Sequence, residues 1–267
     1  AALIKIGEIK IPADDRRVVA LRSAMIVKIA NALEFADTRV LALEALVQSP
    51  VELPPLVQID APGRLIETYS ALAEHLIGEA ELSLDNLEGI TGYLNRPDSQ
   101  SDVGRRAVAV SLLRLGRDRT SSDAITLWLI EHLMQQGLNR LITFFFIDGA
   151  LGVDLKQLHP EAIMLLVDEA LRVNDLPLAA RLQSLTDGPP AGVDHGAWTV
   201  RTARILILGG EAGRGAHQLG EWLAGIQQIT PDSLDRVMQI MFDLQFIGEH
   251  RLALKLFEVA APLAQTE

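Results

Sequence analysis

Apolar and polar residues alternate from Leu3 to Ile11 in the opening stretch AALIKIGEIKIP, the two-residue period of an extended strand. No comparable segment lies nearby to pair with it, so these residues are expected as an extended N-terminal arm. Pro12, Asp14 and Asp15 then form a helix start, with acidic side chains where the positive end of the helix dipole favours them. The spacing predicts a helix from about Asp14 to Phe35 and a second from about Thr38 to Gln48. The segment Ser49 to Gly63 carries four prolines and cannot be one continuous helix. Three regions are therefore expected: an arm and helical hairpin over 1–50, a proline-rich linker over 51–63, and a helical domain over 64–267. Within the last, helices are predicted near Arg64 to Gly78, Leu82 to Leu94 and Asp102 to Leu115, the second ending at Asn95 and the third at Gly116.

Further along, four segments superimpose: LMQQGLNRLITFF, LRVNDLPLAARLQ, LILGGEAGRGAHQLG and LQFIGEHRLALKLFE. They align on Gly137, Asn174, Gly210 and Gly248, spaced 37, 36 and 38 residues apart. Glycine and asparagine are the residues that adopt the left-handed backbone ending a helix, so the alignment has a physical cause. Four residues before each anchor stand Leu133, Ala170, Leu206 and Leu244, expected on the inner face of a first helix. Five residues after it stand Ile142, Ala179, Gly215 and Ala253, mostly small, as close packing of two helices requires. Nine after it come Phe146, Gln183, Leu219 and Phe257, expected about one turn along the same face.

This register answers a question raised by ILILGGEAGRGAHQ, Ile205 to Gln218, which superficially reads as a strand entering a phosphate loop. A G-x-x-x-x-G-K-[ST] loop needs Lys and then Ser or Thr after its last glycine, whereas Ala216 and His217 follow Gly215. Gly210 is instead expected as a turn residue, Gly215 as a packing residue and ILIL as the end of a helix.

The hairpin Pro231 to Ala264, with Gly248 in the turn, Ala253 and Ala260 at small positions and Phe257 at a large one, resembles a tetratricopeptide repeat. The resemblance extends over Ser121 to Ala264. It departs from the family in the first helix: Thr126, Ile163, Thr199 and Val237 replace an aromatic, and Ile130, Val167, Ala203 and Met241 stand at a small position. Pro160 and Pro231 open two of the units, where a first helical turn tolerates proline. The resemblance implies an all-α fold, a right-handed superhelix of antiparallel helical hairpins. If Asn95 is an equivalent turn, an earlier unit precedes Gly137 by 42 residues.

Composition supports the helical reading. The chain has 267 residues, 49% hydrophobic and only 4% aromatic, so its core is built mainly from Leu, Ile, Val and Ala. A net charge of −11 without a long basic run argues against a nucleic-acid partner. With no cysteine there are no disulfides, thiolate nucleophiles or sulfur-ligated zinc. No apolar run approaches the roughly 20 residues of a membrane span, so direct membrane insertion is not expected. These features leave both cytoplasmic and periplasmic locations open.

Candidate chemistry is sparse. His75, His132, His159, His195, His217 and His250 form no metal-ligand spacing and are expected as solvated residues on helix faces and ends; no cofactor is implied. Asp14 and Asp15 are followed by Arg16 and Arg17, not by the spaced acids of a metal–diphosphate site. Phe144, Phe145 and Phe146 are expected in the core. Phe242 and Phe246, at i and i+4, share a helix face that the repeat register turns toward an inner groove. The first of these positions is held in earlier units by Glu131, Asp168 and Arg204, and the second by Gln135, Arg172 and Leu208. Such a groove of mixed charge with an apolar end suits a peptide or partner helix. The expected function is a non-enzymatic scaffold or adaptor for a protein partner. The alternative is a helical accessory domain of a larger polysaccharide- or cell-wall-processing enzyme.

Overall fold

The computed structural model describes residues 15–29, 36–49, 51, 53–55, 58–78, 87–95, 101–116, 123–186, 188–189 and 193–265. The described residues form thirteen α-helices and no strand, so the fold is all-α. The N-terminal arm expected over Leu3 to Ile11 lies outside them. Contacts divide the chain into two units, Ala1–Leu158 and His159–Glu267.

Unit 1 contains α1 (Arg16–Ile29), α2 (Ala36–Gln48), α3 (Ala61–Ile77), α4 (Leu87–Leu94), α5 (Asp102–Leu115), α6 (Asp123–Gln135) and α7 (Asn139–Ile142). The capping reading holds at α1, where the Asp15 carboxylate accepts a bond from the Val18 amide at 3.2 Å. Helix α3 begins earlier than the prolines suggested. Asp60 caps the Gly63 amide at 3.3 Å, and Pro62 occupies the first turn, where its missing N–H removes no helical bond. Asn95 is not a left-handed turn: its amide continues the helix by donating to the Thr91 carbonyl at 3.1 Å, and Asn174 is the one described non-glycine residue with positive φ. The region before Gly137 therefore lacks the expected equivalent turn at that position. Helix α2 packs on α1, α3 and α7, and α5 packs on α3 and α6. Helix α7 runs into a π-helical turn, Thr143–Ile147, whose wider course places the consecutive rings of Phe145 and Phe146 both inside. Phe145 lies 6.1 Å from Tyr69, so Phe145 and Phe146 are core, as expected, whereas Phe144 is half-buried.

Unit 2 consists of three helical hairpins: α8 (Pro160–Arg172) with α9 (Leu176–Gln183), α10 (His195–Leu208) with α11 (Ala212–Gly225), and α12 (Pro231–Phe246) with α13 (His250–Ala260). First helices pack together, α8 on α10 and α10 on α12, and α11 packs on α13. Pro160 and Pro231 are the first residues of their helices, as expected. Side chains of Asp175, Asp194 and Thr230 cap α9, α10 and α12 through Leu178, Ala197 and Ser233 amides at 3.1, 2.7 and 3.2 Å.

The four aligned turns share one backbone solution. Gly137, Asn174, Gly210 and Gly248 have φ of 68°, 61°, 93° and 87°. The following residue's amide reaches back to the carbonyl four before each anchor: Leu138 to Leu133, Asp175 to Ala170, Glu211 to Leu206 and Glu249 to Leu244, each at 2.8 Å. Each anchor's own amide bonds three residues back, completing a Schellman turn that satisfies the last carbonyls of the first helix.

Burial follows the same register. Thr126, Ile163, Thr199 and Val237 are all buried, as are Ile130, Val167, Ala203 and Met241, and also Ile142, Ala179, Gly215 and Ala253. A Cβ added to Gly215 would stand 2.6 Å from the Ala203 carbonyl oxygen and 2.8 Å from the Ile207 side chain, so only glycine lets α11 approach α10 this closely. ILIL ends α10, and no strand enters a phosphate loop there. Two positions depart from the expectation. Leu206 is half-buried, and Phe257 is exposed, unlike Phe146, Gln183 and Leu219.

Candidate functional site

The first helices of unit 2 carry a linked set of charges. Periodicity brings them there: Asp232, Arg236, Gln239 and Asp243 recur at i, i+4, i+7 and i+11 along one stripe of α12, and Arg201 and Arg204 lie one turn apart on α10. The Asp168 carboxylate on α8 accepts two parallel bonds from Arg201, from Nε at 2.8 Å and Nη2 at 2.6 Å. Arg236 Nη1 on α12 reaches both oxygens of the same carboxylate at 3.0 Å, while its Nε bonds Asp232 at 3.0 Å. Burial alone would lower the Arg236 pKa, but Asp168 and Asp232 outweigh it and hold the guanidinium above its ordinary value. Arg204 Nε joins α10 to α12 through Asp243 at 2.7 Å, and Gln239 donates to the same carboxylate at 3.2 Å.

All of these side chains but Asp243 border a cavity of about 300 Å³ lined by Asp168, Arg201, Arg204, Asp235, Arg236 and Gln239, among others. Continuing along α12 from Gln239, Phe242 is 57% exposed and Phe246 is 92% exposed. Asp168 and Arg204 are thus brought to one cavity, with the two phenylalanines further along a helix that lines it. Arg172 is not brought in; it is exposed and pairs with Glu169 on its own helix through two bonds of 2.7 Å. Glu131 and Gln135 are exposed on α6 of unit 1. Sequence reasoning missed Arg201, Arg236, Gln239 and Asp243. Their signal was a set of charged and polar residues beside the stripe chosen, at positions that are apolar in a helix buried on that side.

A second polar assembly lies inside unit 1. Glu44 on α2, Tyr69 on α3, Arg106 on α5 and His132 on α6 are all buried. Arg106 donates to the Glu44 carboxylate through Nε at 2.9 Å and Nη2 at 2.7 Å, and the Tyr69 hydroxyl donates to Glu44 Oε1. Arg106 Nη1 lies 3.3 Å from His132 Nε2. A guanidinium only donates, so Nε2 is the acceptor and the imidazole carries its proton on Nδ1. The ring stacks on Trp128 at 4.8 Å. His132 is therefore not the solvated residue expected from the sequence. Burial, reinforced by the Arg106 charge, pushes its pKa below the ordinary value of 6.5. Burial and the neighbouring Glu44 push the Tyr69 hydroxyl well above 10.0.

Among the described residues no group of three or more His, Asp or Glu side chains is arranged to hold a metal ion. No helix among them is long and apolar enough to cross a membrane. Comparisons of this chain with protein-family models, with curated proteins and with solved structures each find no match.

Proposed function

We propose that the chain is a non-enzymatic scaffold of tetratricopeptide-like hairpins that binds a protein or peptide along the first helices of unit 2. The observation that carries this reading is the exposed Phe242–Phe246 pair on the helix that also lines the charged cavity. An aromatic side chain in water that borders paired charges offers a partner both apolar area and orientation. Asp168, Arg201 and Arg236 hold one another in place, so the cavity wall is set before a partner arrives and little ordering is left to binding. Asp235, exposed at the cavity edge, lies seven residues from Phe242, about 10 Å along the helix axis. A segment with an apolar side chain about 10 Å from a basic one matches that spacing. The right-handed superhelical course of tetratricopeptide proteins belongs to this reading, as does binding without a cofactor.

The test places a photo-crosslinking residue at Gln239 and, as a control, at exposed Arg214 on α11. It compares each in the wild-type background and with Phe242→Ser/Phe246→Ser. A protein crosslinked in native extract from Gln239 alone, and lost with the double substitution, is the expected result. Equal crosslinking from Arg214, or capture indifferent to the two phenylalanines, overturns the assignment.

A further inference from the structure

Helix α6 is held to its neighbours mainly by apolar packing, through buried Ile125, Leu129, Ile130 and Leu133. Its polar hold is narrower. Among the described residues, the contact of His132 Nε2 with Arg106 Nη1 at 3.3 Å is the one side-chain hydrogen bond or ion pair from α6 to another helix. Helices α2, α3 and α5, by contrast, are tied to one another at Glu44, through Arg106 and the Tyr69 hydroxyl. Past the end of α6, Gln48 of α2 holds the turn, donating to the Gly137 carbonyl at 3.1 Å and accepting from the Arg140 amide at 2.9 Å.

The bond at His132 exists in one protonation state only. A neutral imidazole accepts from the guanidinium through Nε2; a protonated one carries N–H on both nitrogens, so the bond is lost and two cations face each other inside the unit. From α5, Arg105 adds to the repulsion, while Asp102 opposes it with a carboxylate already bonded to Arg105. Glu44 of α2, which also accepts from Tyr69 of α3, bonds Arg106 through Nε and Nη2 and keeps the guanidinium in place. Arg140 on α7, which also packs on α6, is exposed, and so is Glu131 beside His132. The Trp128 ring that stacks on His132 belongs to α6 itself and moves with it, so their stacking does not hold α6 on α5.

We infer that the seam between α5 and α6 is an acid-sensitive joint: protonation of His132 breaks its bond to Arg106 and releases α6, while Glu44 keeps α2, α3 and α5 together. The inference concerns unit 1 and uses none of the residues of the partner-binding reading. Burial and the Arg106 charge disfavour the charged ring in the closed seam, and water accepts it in the open one, so acid favours opening. The effect begins as pH falls through about 6.5 and stops growing once the closed form is itself protonated. Freed of α5, a helix of 13 residues is marginal in water, so its amides exchange with solvent.

Hydrogen exchange of the full chain from about pH 7.5 to about pH 5, where histidine titrates, tests this. Read as protection factors, the data are free of the intrinsic pH dependence of exchange. Protection over Asp123–Gln135 is expected to fall by about three- to tenfold on acidification, while Ala61–Ile77 and Asp102–Leu115 keep theirs. In His132→Gln, whose side chain still accepts from Arg106 but does not titrate, the fall in α6 is expected to vanish. The midpoint of the wild-type loss is expected to coincide with titration of the His132 ring followed by NMR, a readout that does not depend on the variant folding. Equal loss in Ala61–Ile77 overturns the proposal, because the unit then opens as a whole. So does constant protection of α6 in wild type, an acid response that survives His132→Gln, or a midpoint that departs from the ring titration.

Discussion

Glu44 in unit 1 and Asp168 in unit 2 are both carboxylates gripped by arginine, yet they sit in different surroundings. Glu44 is sealed among Tyr69, Arg106 and the helices that carry them, with side-chain exposures of 3% for both ion-pair partners. Asp168 borders a cavity, and its second arginine, Arg236, retains a side-chain exposure of 32%. Removing one partner from the first leaves a charge with no water to turn to, whereas the second can be re-solvated. Unit 1 uses charge to specify how four helices meet. Unit 2 uses it to shape a surface.

The sharpest way to break that comparison is Arg106→Met. It should lower stability by about 3–5 kcal/mol in urea unfolding, because Glu44 and Tyr69 lose their buried counterpart. Glu44→Gln in the same chain should recover part of the loss, since the uncompensated charge is gone. In unit 2, packing should outweigh charge. Gly215→Leu is expected to destabilise by about 1–3 kcal/mol, because the Ala203 carbonyl and Ile207 leave no room for a side chain. Asp168→Ala should cost about 1 kcal/mol, with a loss that shrinks as salt screens the network. A loss equal to that of Arg106→Met would erase the distinction between the units.

The smallest expected effect is a pH dependence in unit 1. The folded state holds the His132 pKa below its ordinary 6.5, so as pH falls through about 6.5 the unfolded chain takes up a proton that the folded chain resists. Stability should therefore decline with acidification and level off below the depressed folded value. Asp102, Arg105 and Arg106 on α5 all act on this ring, the arginines opposing its protonation and Asp102 favouring it. His132→Gln should flatten that part of the profile in unfolding curves taken from pH 7.5 to about 5, where histidine titrates.

What was legible in the chain was whatever depends on near neighbours. Gly137, Asn174, Gly210 and Gly248 announced their turns because a left-handed backbone strongly restricts residue type. Asp15, Pro160 and Pro231 announced helix starts for the same local reason, and Gly215 announced a close approach. The alignment also placed Leu133, Ala170 and Leu244 inside, as expected, while Thr126, Ile163, Thr199 and Val237, which the sequence showed only as departures from the family's aromatic, are buried as well. Asn95 misled, because asparagine followed by a proline two residues later suits a helix end without requiring positive φ there. His132 misled too: Trp128, on which it stacks, is only four residues away on the same helix, but nothing adjacent reveals Arg106, 26 residues earlier, which meets it inside the unit.

By itself the sequence determined the helical hairpins, their period and the backbone of their turns, since these rest on bonds between residues within about one helical turn of each other. Only the tertiary structure decided which polar groups meet. Glu44 with Arg106, and Asp168 with Arg236, are 62 and 68 residues apart in the chain. Their pairing depends on helix packing that no periodicity records. It also decided that Phe257 stands in water while Leu219 does not. A residue's place in a repeat determines which way it points, but burial depends on whether another helix is packed against it.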